Sequence, residues 1–238
     1  MKLLSKKYFE QRGAIQGALS LVFFLALAVL VVLYMFGTVV PPGTMGVRQI
    51  KFGPGQGFST KGLPSGYHWS VPGYSTVHIV PRTLQLIHFN REGMQTGDLT
   101  TFDVLEVQSA DRATVDIDAS ILYRFYDAPA LDAGKIAHGG PADLFRLGTA
   151  RESWLNEVRR RAEDQIKRNL GKLQTARFYQ PEYREPLIEE ARSNMNEALA
   201  SSGIFVESIL LRRFTYREDR IDNAIFQKNL QEQEERRN

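Results

Sequence analysis

The chain has no cysteine, which excludes disulfide frameworks, thiolate zinc sites and cysteine nucleophiles and leaves the redox compartment open. Histidine is scarce, with four in 238 residues. His68, His78 and His88 lack the i, i+2 or i, i+4 spacing that a metal site favours, so they are predicted to be isolated, solvated or hydrogen-bonded. Charge of either sign is not in excess: 30 Lys and Arg stand against 27 Asp and Glu, a formal +3. That excludes a nucleic-acid-sized basic field. The length suits one or two modest domains but not a large catalytic architecture as well.

Catalytic signatures are missing too. Gly53-Pro-Gly-Gln-Gly57 followed by Lys61 lacks the spacing and the following helix of a phosphate loop, so it reads as a β-turn. His138-Gly-Gly-Pro141 is of the kind that lines an esterase oxyanion site, but no GxSxG elbow accompanies it. A loop into a helix is the reading. Asp116 and Asp118 share one strand face and could pass for a carboxylate pair or cation ligands. Their even spacing on a polar face points to solvated surface. Arg159-Arg160-Arg161 with Lys167 and Arg168 could meet anionic lipid or another subunit, yet Glu163 and Asp164 interrupt it as they would on a charged helix face. We assign no catalytic, cofactor-binding or metal residues, and the chain is read as not an enzyme.

What is present is a long apolar run. No charged side chain lies between Arg12 and Arg48, and inside that gap Leu19, Val22, Phe23, Phe24, Leu27, Leu30, Leu33 and Phe36 belong to an apolar stretch whose one small polar residue is Ser20. With Ala14 to Ala18 it reaches roughly 23 residues, enough at about 1.5 Å each for the roughly 30 Å hydrocarbon layer. It is too long for a signal peptide core, and its one Ala-x-Ala lies mid-run. Residues 14–38 are therefore predicted to be a transmembrane helix, ended by Pro41-Pro42-Gly43. Lys2, Lys6, Lys7 and Arg12 precede it, against Arg48 and Lys51 after it. The positive-inside rule then makes residues 1–13 a cytoplasmic tail and puts the rest on the periplasmic side of an inner (plasma) membrane.

Beyond the run the expected class is α+β, with residues 39–214 as one domain. Residues 44–125 read as strand-rich, punctuated by glycine and proline. Ala113, Val115, Ile117, Ala119, Ile121, Tyr123 and Phe125 alternate with mostly polar residues, a strand with one buried face. Thr83 to Phe89 and Val104 to Gln108 are candidate antiparallel neighbours. Over 141–202 the period changes: Leu144, Leu147, Trp154, Leu155, Val158, Ala162 and Ile166 predict one long amphipathic helix from Pro141. A second helix starts near Pro181 or Pro186 and ends before Gly203. Residues 204–214 form a returning strand, and 215–238 the start of a charged helix with Ile221, Ile225 and Leu230 as apolar, oligomer-interface positions. Tyr67, Trp69 and Tyr74, close behind the apolar run, suit either docking at the membrane surface or core packing.

These segments, in this order, resemble the SPFH (band-7) superfamily of stomatins, prohibitins, flotillins and bacterial modulators of a membrane AAA protease. Val40-Pro-Pro-Gly-Thr-Met-Gly-Val-Arg-Gln-Ile-Lys-Phe-Gly53 is similar to the first strand of that domain. Leu63-Pro-Ser-Gly-Tyr-His-Trp-Ser-Val-Pro72 is similar to its glycine, aromatic and proline segment. Residues Ser109 to Phe125 with Asp127-Ala-Pro129 resemble its strand pair and turn, and Ala150 to Val158 and Gly203 to Ile209 the closing helix and strand. Asn90 to Phe102 is a polar insertion outside the pattern. The resemblance implies a lipid-anchored scaffold, a homo- or hetero-oligomer with other SPFH subunits, forming rings or cages around enclosed proteins such as an AAA protease. Members usually continue into a coiled coil that drives assembly, and 215–238 is its expected start. A membrane-tethered cell-envelope hydrolase and a monomeric tether or adaptor are the alternatives.

Overall fold

The computed structural model describes residues 2–91, 100–132 and 135–217, with Gln227, Gln231 and Glu234 as helical positions; the side chains of 2–18, 135 and 136 are outside this set. Helix α1 spans Lys2–Met35. Next come β1 (Gly37–Val40), β2 (Thr44–Ile50), β3 (Gly57–Phe58), β4 (Gly66–Trp69), β5 (Ser75–Pro81), β6 (Gln85–Phe89), β7 (Thr101–Phe102), β8 (Leu105–Gln108), β9 (Thr114–Phe125), β10 (Ala130–Asp132) and β11 (Lys135–His138). Three α-helices follow, α2 (Pro141–Leu144), α3 (Arg151–Leu170) and α4 (Pro181–Ala200), with a short 3-10 turn at Thr175–Arg177, before β12 (Ile204–Tyr216). The result is a mixed α+β head behind one long helix.

The alternating strand organises the head. β9 pairs antiparallel with β12, β6 and β8, inside a five-stranded sheet. Its residues Val115, Ile117, Ala119, Ile121, Tyr123 and Phe125 face inward and are buried. Against them lie Trp154, Leu155, Val158, Ala162 and Ile166 of α3, and Ala191, Met195 and Leu199 of α4, all in one apolar core. At ~1.5–3 kcal/mol for each large apolar side chain taken from water, this layer dominates the stability of the head. A smaller sheet of order β3-β2-β5 adds Met45, Val47 and Val80 to the same core, and a two-stranded ribbon of β1 and β4 adjoins the end of α1.

Three expectations need correction. The apolar helix ends at Met35 rather than residue 38, and it is not the prolines that end it. Gly37–Val40 leaves as a strand because β4 offers it a partner, and Pro41 to Gly43 make the turn into β2, with the Thr44 hydroxyl donating to Pro41 O at 2.8 Å. Nor is the helix from Pro141 continuous. It breaks between α2 and α3, where Gly148 takes φ of 137°, open to glycine and strained for other residues. The Gly148 carbonyl, freed from any helix, accepts from Trp154 Nε1 at 2.8 Å.

The third concerns Asp116, which is buried rather than solvated. Arg91 reaches one of its oxygens at 3.0 Å and Arg217 the other at 3.2 Å, which compensates the lost hydration. Among the described residues no helix is long and apolar enough to cross a membrane. The described side chains of α1 begin at Leu19, and Leu19 to Met35 alone falls short of the ~20 residues that a bilayer core requires.

Candidate membrane-facing collar

A helix leaves its last four carbonyls without intrahelical donors. At the end of α1, Val32 O accepts from Phe36 N at 2.9 Å. Leu33 O accepts from the Tyr67 hydroxyl at 2.7 Å, although 34 residues separate the two. Phe36 O accepts from Ser70 N at 2.8 Å. The ribbon thus closes the helix end, in the register Gly37 with Trp69, Thr38 with His68 and Val39 with Tyr67. Tyr67 lies so close over the chain that a Cβ on Gly37 would come within 2.1 Å of its ring. Trp69 meets Tyr67 edge to face, 5.6 Å between centroids.

The small sheet is bound to the same end. Arg48 of β2 donates from Nη2 to Trp69 O at 2.8 Å, and its backbone N–H to Ser59 Oγ at 3.1 Å. Its Nε is buried with no partner among the described residues. The loop after β4 folds back through Ser70 Oγ to Ser75 O, 3.1 Å, and Val71 N to Ser75 Oγ, 3.2 Å. Lys51 N–H bonds Tyr74 O at 2.9 Å, and Phe52 packs on Tyr74 at 5.2 Å.

Val39, Phe52, Tyr67, Trp69 and Val71 are all exposed, Trp69 by 54%. Tyr67 and Trp69 are therefore outside the core, whereas Tyr74 is half-buried beside Phe52. On α1 the side chains of Leu19, Val22, Phe23, Phe24, Leu27, Leu30 and Leu33 all point outward, and Phe36 is half-buried at the bend. Apolar and amphipathic aromatic surface of this kind, gathered at one end of a molecule, marks a place of contact.

The remaining candidates are dispersed. His68 Nε2 bonds Pro64 O at 2.7 Å, His78 Nε2 bonds Gln49 Oε1 at 2.9 Å, and His88 Nδ1 meets Ser120 Oγ at 2.9 Å. His138 stacks on Tyr126 at 3.5 Å. Among the described residues no group of three His, Asp or Glu could hold a metal ion. A cleft of about 430 Å³ is lined by Arg82, Arg124, Phe125, Tyr126, Asp127 and Ala128. Its two arginines are already paired, Arg82 with Asp127 and Arg124 with Glu207 at 3.2 Å. On α3, Arg160 and Arg161 bind Glu157 at 2.6 and 2.9 Å, and Arg159 binds Glu163 at 2.9 Å. Ile221, Ile225 and Leu230 lie outside the described residues.

Sequence reasoning missed Arg48, Phe52 and Val71 as collar residues. The available signal was the Gly, Pro and aromatic punctuation of 51–57 and 70–74, which places two turns at one end of an antiparallel pair. Residues 38–238 match the model of the family described as SPFH domain / Band 7 family. No curated protein matches the chain.

Proposed function

The chain belongs to the SPFH domain / Band 7 family, and from that membership we propose that it is the anchored subunit of a scaffold that encloses other membrane proteins. Members of this family are in general membrane-associated, non-enzymatic and oligomeric with other SPFH subunits. In this reading residues 14–35 embed in the bilayer and 1–13 stay in the cytoplasm. The head, 39–214, rests on the periplasmic surface, where Tyr67, Trp69 and Tyr74 meet the interface. The returning strand runs to Tyr216 rather than residue 214, so the assembly helix begins beyond it, with Ile221, Ile225 and Leu230 toward neighbouring copies, and the client is a membrane protein such as an AAA protease. Mechanism here is geometry: a closed wall limits what reaches the enclosed protein.

The observation that carries the proposal is the bond from Tyr67 to Leu33 O. It joins an apolar helix directly to an exposed aromatic ribbon, and interfacial aromatics gather at headgroup level beside spanning helices. The test uses the full chain in native membranes. After alkaline washing it is expected to stay in the pellet, and in mild detergent to run as a particle many times its 27.0 kDa mass. Release by the wash would overturn the anchor. A particle of one chain with its detergent would overturn the scaffold and leave a monomeric tether.

A further inference from the structure

From Gln11 to Arg91 the sequence holds no Asp or Glu, although the chain has 27 of them. The collar, the small sheet and β6 with the turns on either side of it, as far as Arg91, therefore carry no acidic side chain, only the cations Arg48, Lys51, Lys61, Arg82 and Arg91. Carboxylates of the main sheet neutralise two of these, Arg82 through Asp127 and Arg91 through Asp116. No ion pair to Arg48, Lys51 or Lys61 exists among the described residues.

Their positions differ. β2 runs toward the end of the head where α1 emerges, with Ile50 opposite Ser75 and Lys51 bonded to Tyr74 O. Arg48 is fixed there by Trp69 O. Lys61 lies nearer the main sheet, since its neighbour Gly62 donates to Asp127 O. Two cations thus sit at the collar. A solvated surface arginine would leave its guanidinium free to move, but this one is part-exposed, held in place by Trp69 O and borders an exposed tryptophan. A planar guanidinium presents paired N–H donors that match phosphate oxygens, and lipid phosphates lie at the depth where interfacial Trp and Tyr rings settle.

We infer that Arg48, seconded by Lys51, binds the phosphate of anionic phospholipids at the collar, so that the head selects the lipid it rests on. This rests on the membrane-docked reading above. The molecule carries its own probe: of its two tryptophans, Trp154 is in the core and Trp69 is exposed at the collar.

The full chain is reconstituted in vesicles of equal parts phosphatidylcholine and phosphatidylglycerol, with brominated acyl chains on one lipid or on the other. Composition is the same in both arms, so any difference in Trp69 quenching reports which lipid is next to it. Quenching is expected to be roughly two- to fivefold stronger when phosphatidylglycerol carries the bromine, in line with the attraction of a surface cation for anionic lipid. Arg48→Gln is expected to abolish the bias and Lys51→Gln to reduce it, with unchanged Trp154 emission reporting an intact core. Should Arg48→Gln misfold, the exposed Lys51→Gln still decides: an undiminished bias overturns the proposal. Equal quenching in the two arms overturns the lipid selection and leaves the docked head standing; no quenching in either overturns the docking itself. Excess inorganic phosphate is expected to leave the bias intact, and its loss would overturn the assignment to lipid.

Discussion

Asp111 sits in the turn between β8 and β9, where its carboxylate accepts from Ser109 Oγ at 2.6 Å and from Thr175 N at 3.1 Å. It ties that turn to the segment that follows α3. Burial pushes its pKa up, but the hydrogen bonds from Ser109 and Thr175 outweigh this and hold it below the ordinary carboxylate value. A lowered folded pKa stabilises above the unfolded value of ~3.9 and ceases to do so as pH falls through the folded one. Asp111→Asn is therefore expected to lower the Tm at neutral pH and to match the wild type near pH ~2, measured by circular dichroism. An equal gap at both pH values would contradict the assignment. Asp116, five residues on, was misread from the sequence. What covers it is Arg91 and Arg217, 25 and 101 residues away, and no local pattern reports such a cover.

At the scale of elements, what was legible was whatever depends on one buried face. β9 could be read because each second residue enters the core, and its neighbours β6 and β8 because short β-branched runs flank it. The break between α2 and α3 was hidden, since Leu144, Leu147 and Trp154 keep helical spacing straight across it. β1 was hidden for the opposite reason: Thr38, Val39 and Val40 extend the apolar run, and only the distant β4 makes them a strand. The cluster Phe58, His78 and Phe145, with Phe58 and Phe145 stacked at 4.7 Å, joins the small sheet to α2. Burial, with Lys51 second, lowers the pKa of His78. Its neutral form is thus favoured in the fold, and stability declines as pH falls below the unfolded ~6.5 toward the folded value. His78→Gln is expected to flatten the Tm between pH ~7 and ~5, and a wild-type slope in that variant would refute the role.

At the scale of the whole molecule, the joint at Phe36 and Gly37 between α1 and the head is closed by Tyr67 and Ser70. In Gly37→Ala the new methyl would displace the Tyr67 ring and with it the bond to Leu33 O. The core is remote from this change, so the Tm is expected to move by no more than about 2–4 °C. Particles in mild detergent are expected to lose their uniform diameter, as seen by electron microscopy; particles as regular as the wild type would show that the joint does not set subunit angle. The family-level fold was legible because its parts follow one another along the chain, whereas the collar is closed by bonds between residues as far as 34 apart and could only be assembled in three dimensions. In the scaffold proposed above, a closed joint of this kind would act like a key on its shaft, passing torque on α1 to the head through Tyr67 and Ser70.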